Sequence, residues 1–274
     1  MPIKAAFTST LQTQFRWMPF RYIMNATFLL GMQSTVRAST ASLLGVCLLS
    51  LVGLSPLPIQ VWAWKDQGFV AAALPPATLA PVEALQASDL EGNGSIERLA
   101  LAAGVLTITQ NGSIAWRSPQ AWQVAQAAIT DLNHDGRPEV TLLVWRPFAP
   151  WPIDRYLPHP GRIASFHDVN GQSCHIILIG WKGGAFREVW AGSALAEPVK
   201  AFQVVSQPGG KQLLLTLDSR YTTPRDGPAQ ALSAWEWNGF GFSLVARQTG
   251  TFSRAVAVIH PTSPFQFYVL SSRR

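Results

Sequence analysis

The sequence predicts an all-β fold built from repeated four-stranded units, and three observations support this prediction. Eleven of the 274 residues are Trp, whose large side chains fill the space between packed sheets. Turn residues followed by β-prone runs recur along the chain at intervals of about forty residues. Aromatic segments with a Gly-containing turn lie between these runs, which is the pattern of β-hairpins.

The first 57 residues are predicted to be a signal peptide or a signal anchor. Their centre, residues 41–54, is a continuous apolar run, which suits a secretory h-region. Residues 39–64 lack charged side chains and could instead anchor the chain in a membrane; a buried core helix is a further alternative. The cations of this region all precede the run: Lys4, Arg16, Arg21 and Arg37. This bias predicts that the body, residues 58–274, is extracytoplasmic: periplasmic, secreted, or anchored and facing outward.

The net charge of +6 does not indicate a nucleic-acid partner. All acidic residues lie from Asp66 onward and offset most of the cations there, so no basic stripe is left to follow a phosphate backbone. The chain has two Cys, which excludes a disulfide framework and a zinc site made of four Cys.

Five copies of the repeat can be aligned by eye. Three open on an acidic turn, at Asp89, Asp131 and Asp168, and two keep only the turn and the following apolar strand, near Val204 and Val256. An aromatic hairpin follows the turn in several copies, so one unit contains a strand, a turn, a second strand and a hairpin. Four-stranded units in tandem are typical of β-propeller blades, and the sequence therefore predicts a β-propeller of about five blades.

The N-terminal hairpin is predicted to complete the last blade. The fifth unit reaches Arg274 before its aromatic hairpin, whereas Trp62 and Trp64 belong to a hairpin that no unit precedes. We therefore expect residues from about 58 to 86 and 254 to 274 to share one blade. Pairing of the two termini in this way would leave no free sheet edge between them.

Residues 131–139 have the composition of a calcium-binding loop. Oxygen-bearing side chains stand at loop positions 1, 3, 5 and 9, and Gly136 at position 6 allows the positive φ that a tight curl requires. Calcium prefers several such hard oxygen ligands. An EF-hand would need Glu at position 12, where Leu142 stands. The predicted ligands are Asp131, Asn133, Asp135, Glu139 and, through its carbonyl, Arg137.

This loop resembles the calcium loop of FG-GAP repeats, the blades of integrin-α-type (VCBS-like) propellers and of many exported bacterial proteins. The resemblance covers the repeat turns and their spacing. It implies a propeller fold with structural Ca²⁺ at one or two sites, and it implies no reaction. The alternative for these loops is a solvated Asx turn that needs no metal.

A second loop, residues 89–97, keeps the same arrangement with Gly94 at position 6. The third, at Asp168, has its glycine two positions early and has lost the ligand at position 5. Two calcium sites are therefore predicted at most. The ligands of the second are Asp89, Glu91, Asn93 and Glu97.

No sequence motif of a known catalytic class is present. The least repeat-like segment, residues 145–161, contains five Pro and several aromatic residues, and rigid aromatic loops bind partners at low entropic cost. We expect a protein or glycan partner there; a Pro-stiffened connector is the alternative. A second variable loop, residues 218–228, contains Arg220, Tyr221, Arg225 and Asp226, and the same two alternatives apply to it.

The sequence therefore predicts an exported, non-enzymatic and monomeric β-propeller that acts as a binding or scaffold module. The alternative is an extracytoplasmic hydrolase or lyase that acts on glycans or the cell wall. That alternative requires two carboxylates to converge in a cleft, and the residues that could supply them are Asp154, Glu188, Asp218 and Asp226.

Overall fold

The computed structural model describes residues 59–73, 80–81, 86–150, 165–253, 255–260 and 263–272. The predicted signal or anchor segment, 1–57, lies outside them. Within these ranges no helix is long and apolar enough to cross a membrane. The strands in chain order are β1 Ile59–Lys65, β2 Gly68–Ala72, β3 Ala80–Pro81, β4 Ala87–Ser88, β5 Glu97–Ala102, β6 Val105–Gln110, β7 Ser113–Arg117, β8 Gln123–Thr130, β9 Glu139–Pro147, β10 Gln172–Lys182, β11 Ala185–Ala191, β12 Val199–Ser206, β13 Gln212–Asp218, β14 Ala229–Trp237, β15 Phe242–Phe252, β16 Ala255–His260 and β17 Ser263–Ser272.

The described fold is all-β, and its strands form four antiparallel sheets. The first sheet has the order β4-β5-β6-β7, and the second β8-β9-β10-β11. The third sheet has the order β12-β13-β14-β15, and the fourth β2-β1-β17-β16-β3. Strands that follow each other along the chain are therefore neighbours in the first three sheets, whereas the fourth also pairs β1 with β17 and β3 with β16.

Alternating apolar residues bury the second sheet on both faces. Val140 and Leu142 of β9 pack in one cluster with Ile108 of the first sheet. Leu143, which follows Leu142 and lies on the opposite face of β9, packs in another cluster with Phe202 of the third sheet. Because side chains alternate along a strand, each of these strands contributes to two cores at once.

The third and fourth sheets share a further core. Leu213, Leu215 and Leu217 of β13 pack in one cluster with Trp62 of β1 and Val269 of β17. Three clusters therefore join four consecutive sheets.

A side chain also links the second and third sheets through the backbone. Gln126 of β8 donates its Nε2–H to the carbonyl of Phe202 at 2.6 Å and accepts the amide N–H of Phe202 through Oε1 at 3.0 Å. The two strands belong to different sheets, so this amide makes the pair of hydrogen bonds that a neighbouring strand would otherwise make.

Three of the aromatic hairpins share the same Trp–Phe pair. Trp and Phe five positions apart face each other across the turn in β1–β2, β10–β11 and β14–β15. Their ring centroids are 5.0–5.3 Å apart in edge-on contact, a favourable aromatic geometry. The pairs are Trp64 with Phe69, Trp181 with Phe186 and Trp237 with Phe242.

The N-terminal hairpin pairs with the last strand, as the sequence predicts. β1 runs antiparallel to β17, with Ile59 opposite Ser272 and Trp62 opposite Val269. Both Trp62 and Val269 are buried. The fourth sheet therefore contains strands from both ends of the described chain.

The structure has four sheets where the sequence predicts about five blades, and Asp168 explains the difference. Its turn was predicted to open a third unit, but it lies in the connection between β9 and β10 of one sheet. The Asp131 turn joins β8 and β9, so the two turns lie at opposite ends of β9. A turn followed by an apolar strand has the same sequence pattern at either end of a sheet, and spacing alone does not distinguish them.

Deletion of residues 59–72 should expose the edge of β17 and cause self-association, because an unpaired strand offers free backbone groups to other chains. We expect oligomers in size-exclusion chromatography and a lower melting temperature. Val70→Ala, in the same hairpin but at a side chain that is 42% exposed, is the control and should leave the chain monomeric. A deletion variant that stays monomeric and melts like the parent would show that the hairpin is dispensable.

Candidate metal centre

The two predicted calcium loops lie at the same end of neighbouring sheets and share one cleft. Residues 89–97 follow β4 of the first sheet, and residues 131–139 follow β8 of the second. The cleft between them has a volume of about 730 Å³. Its walls include Asp89, Glu91, Asn133, Asp135, Glu139 and Trp181.

The backbone of the 131–139 loop curls around its own acidic side chains. Asp131 accepts the amide N–H of Asp135 at 3.1 Å and that of Gly136 at 3.2 Å. Asp135 accepts the N–H of Arg137 at 2.9 Å. Gly136 has a φ of 80°, so the glycine occupies the left-handed conformation that the sequence requires of it.

Glu139 is buried, and one of its two carboxylate oxygens is not hydrogen-bonded. It is only 4% exposed, and its Oε2 atom is buried without a hydrogen-bond partner. Burial, together with the nearby charges of Asp135 and Asp131, raises its pKa from 4.5 to about 8, although the hydrogen bond from Asn133 acts in the opposite direction. An unpartnered buried carboxylate oxygen is costly, so the site would be stabilised by a cation.

Gly180 makes room for the Glu139 side chain. A Cβ atom at this position of β10 would lie 3.1 Å from Cγ of Glu139 and 3.0 Å from a methyl group of Val189. The glycine in the middle of this strand therefore reflects close packing against the loop. Its functional relevance is not evident from the sequence, because nothing in the pattern of β10 links it to residues forty positions earlier.

The amide of Asn133 holds together carboxylates that would otherwise repel. Its Nδ2 donates to Oε1 of Glu139 at 2.7 Å and to Oδ2 of Asp135 at 3.3 Å. In this arrangement no described group of three or more His, Cys, Asp or Glu is close enough to hold a metal. Exchange of the amide nitrogen and oxygen by rotation would turn Asn133 from a donor into a cation ligand. The donor set fits Ca²⁺, which prefers oxygen ligands.

The carboxylates of the 89–97 loop already accept hydrogen bonds from groups of the protein. Asp89 accepts the N–H groups of Gly92, Asn93 and Gly94 at 2.7–3.0 Å. Glu97 is completely buried, but Leu90 N–H and the side chain of Gln110 donate to its two oxygens at 2.7 Å each.

Nδ2 of Asn93 donates a hydrogen bond to Oε2 of Glu91 at 2.7 Å. The described carboxylates of the loop therefore have donors already, and the loop fits a cation less well than 131–139 does. The structure does not bring all four predicted ligands into contact: Asp89, Glu91 and Asn93 share an Asx-type turn, whereas Glu97 accepts its hydrogen bonds from groups outside this set.

Asp168 binds a guanidinium group in place of a metal. Its Oδ2 pairs with Arg225 at 2.8 Å, and its Oδ1 accepts N–H groups of Asn170 and Gln172 at 2.9 Å. Burial opposes ionisation, but these hydrogen bonds and the charge of Arg225 lower the pKa of Asp168. No sequence pattern indicates this partner, which lies in the variable loop 218–228.

The predicted binding segment 145–161 is only partly described. Trp145 is 7% exposed and has the guanidinium of Arg225 over its ring at 3.8 Å, so its face is not open to a ligand. Phe148 packs on His167 with ring centroids 5.1 Å apart. Residues 151–161 lie outside the described ranges.

A Ser–His contact elsewhere in the second sheet is buried. Ser173 Oγ and His175 Nε2 are 2.7 Å apart, and the other ring nitrogen lies 3.0 Å from the carbonyl of Gly192. Ser173 and His175 are 1% and 5% exposed, and burial lowers the pKa of the imidazole to about 4. The pair is closed to substrate, and its neutral imidazole makes internal hydrogen bonds.

Glu139→Gln should stabilise the chain in the presence of a calcium chelator, increasingly as the pH rises. The contribution of Glu139 is fully present below about pH 4.5 and is lost as the pH rises through about 8, because the folded chain keeps a proton that the unfolded chain releases. The ratio of the unfolding constants of parent and variant should therefore grow by up to about tenfold per pH unit in that window. Urea unfolding at several pH values measures it, with Glu91→Gln as the control. A pH-independent difference would contradict the assigned environment of Glu139.

No protein-family model matches the chain, and a comparison with curated proteins gave no match. The likeness to FG-GAP repeats is accordingly a likeness of loops and spacing. The functional assignment rests on the geometry of the site.

Proposed function

We propose that residues 58–274 form an exported, non-enzymatic β-propeller braced by calcium, which acts as a binding or scaffold module. Support for the propeller comes from three successive meander sheets and a fourth sheet that pairs β1 with β17, all joined by three shared cores. The number of blades proposed is thus four, in place of the five predicted from sequence. In a closed four-bladed ring, the fourth sheet would pack against the face of the first sheet that points away from the second.

The observation that carries the calcium proposal is the buried, unpartnered Oε2 atom of Glu139. Asp131, Asn133, Asp135 and Glu139 would hold the ion together with the carbonyl of Arg137. Bound Ca²⁺ would supply the positive charge that offsets carboxylate repulsion and would fix the turn between β8 and β9. The role is structural, and the 89–97 loop would provide at most a weaker second site.

A binding role is favoured over hydrolysis by the state of the available carboxylates. Asp218 is buried and accepts hydrogen bonds from Thr216 at 2.6 Å and Ser233 at 2.5 Å. It also lies 3.4 Å from Arg247. Burial raises its pKa despite these partners, and the enclosed carboxyl is unsuited to reach a polymeric substrate. Of the four carboxylates that the alternative hydrolase or lyase would use, Asp218 is therefore a poor candidate.

We further propose that the chain is exported and that it binds a protein or a glycan. The uncharged run and the preceding cations support export, either with cleavage or with anchoring through residues 39–64, and we propose that the exported body is a monomer. The partner is a protein or a glycan bound near the variable loops. The resemblance to integrin-α-type propellers agrees with this role, since such folds present loops on a rigid scaffold.

Calcium should raise the melting temperature of the parent chain, and Asp131→Ala should abolish most of that rise. An ion that binds only the folded state at one hundred times its Kd stabilises it by about 2.7 kcal/mol, which corresponds to a few degrees for a domain of this size. Calorimetry with calcium and with chelator measures the difference. Asp168→Asn is the control: it should lower the melting temperature but keep the calcium-dependent increment.

A melting temperature indifferent to calcium would reduce the 131–139 loop to a hydrogen-bonded turn. An equal loss of the increment in Asp168→Asn would mean that the increment reports general stability and not this site.

A further inference from the structure

A second cleft lies between the second and third sheets, at the end opposite to the acidic loops. Gln123, which contributes to it, is the first residue of β8, whereas Asp131 directly follows the last residue of that strand. The cleft has a volume of about 150 Å³. It is lined by Gln123, Ala125, Trp145, Pro198, Val199, Lys200, Ser219, Arg220, Thr223 and Arg225.

The charge of this lining is positive. The ten described residues of the lining include three cations and no carboxylate. Asp168 neutralises Arg225 from outside the lining. Arg220 is exposed and makes no ion pair with any residue that the structure describes. The cleft therefore has at least one cation whose charge no described carboxylate offsets.

Arg225 is held rigidly at the wall of the cleft. Its guanidinium lies over the ring of Trp145 and donates to Oε1 of Gln123 and Oδ2 of Asp168, both at 2.8 Å. A guanidinium has five N–H donors, so three remain beyond these two bonds. A cation that is already ordered loses little conformational entropy when it binds a ligand.

The loop that carries both arginines is also fixed in place. Nζ of Lys200 donates to the carbonyls of Pro224 and Arg225 at 3.0 and 2.9 Å, and to that of Gly227. The N–H of Thr223 donates to the carbonyl of Arg220 at 3.0 Å. Arg220 and Arg225 are therefore presented from an ordered loop across a small opening.

We propose that this cleft binds a carboxylate group of a partner, with Arg220 and Arg225 as its cationic ligands. The planar fork of arginine matches a carboxylate, and hydroxyl groups of Ser219 and Thr223 add polar contacts. Whole-ligand pockets measure about 300–1,000 Å³, so this smaller cleft suits the charged end of a longer molecule. The inference rests on the proposed binding function and names the chemical group that the partner offers.

Two sources can supply such a carboxylate, the C-terminus of a peptide or an acidic sugar. The full-length chain is titrated by calorimetry with N-acetyl-L-alanine and with D-glucuronate. Each probe has a neutral counterpart, N-acetyl-L-alanine amide and D-glucose. We expect carboxylate probes to bind and their neutral counterparts not to bind, with weaker binding at higher salt. The tighter of the two carboxylates identifies the source.

Arg220→Gln should weaken carboxylate binding at least about tenfold, since it removes a charge-assisted hydrogen bond. Arg225→Lys keeps a cation beside Asp168 but removes the planar fork, and it should weaken binding as well. Arg117→Gln, at an exposed arginine of β7, is the matched control and should bind like the parent.

The proposal is overturned if neutral and charged probes bind alike, if Arg220→Gln binds like the parent, or if inorganic phosphate binds more tightly than both carboxylates. A negative titration with an intact calcium-dependent melting rise would reject this site alone. Carboxylate binding without any calcium response would reject the calcium brace and leave this site standing.

Discussion

The burial of the second sheet on both faces is the constraint on which the rest of the structure depends. Because β9 and β10 have a core on each side, polar side chains along their length are few and bonded internally, as Ser173 and His175 are. Charged residues are consequently displaced to the ends of the strands. Loops at one end carry carboxylates that crowd each other, and loops at the other end carry Arg220 and Arg225, of which Arg225 pairs with Asp168. Both candidate sites therefore result from the packing of the sheets.

Local sequence patterns predict the individual hairpins and turns of this fold better than they predict how many sheets the strands form. The pairing of β1 with β17 follows from the repeats, because the last unit lacks the hairpin that β1 and β2 supply. The aromatic hairpins and the positive φ of Gly136 follow from the chemistry of a few adjacent residues. The number of sheets does not, because the Asp168 turn imitates a repeat while connecting two strands of one sheet. The stacking of Arg225 on Trp145 could not be predicted from the sequence either, since it joins residues eighty positions apart through the packing of two sheets.

The candidate metal loop was predictable in its residues but not in its energetics. Its ligand positions are evident from spacing, and the structure brings Asp131, Asn133, Asp135 and Glu139 together around one turn. Whether those oxygens have partners depends on neighbouring strands. Gln110 of β6 supplies a donor to Glu97, whereas nothing described supplies one to Oε2 of Glu139. Two loops of similar sequence therefore differ in their need for a cation.

The three acidic turns can be compared by what neutralises each one. Backbone and side-chain N–H groups satisfy Asp89 and Glu97, and the guanidinium of Arg225 neutralises Asp168. The 131–139 loop has the amide of Asn133 and no positive charge among the partners described for its carboxylates. Burial raises the pKa of Glu139, and the charges of Asp135 and Asp131 add to this effect, because the partial charge of one amide offsets them incompletely. The same turn chemistry thus leads to a hydrogen-bonded loop, an ion pair and a loop suited to a divalent cation, according to which donor the surrounding sheets provide.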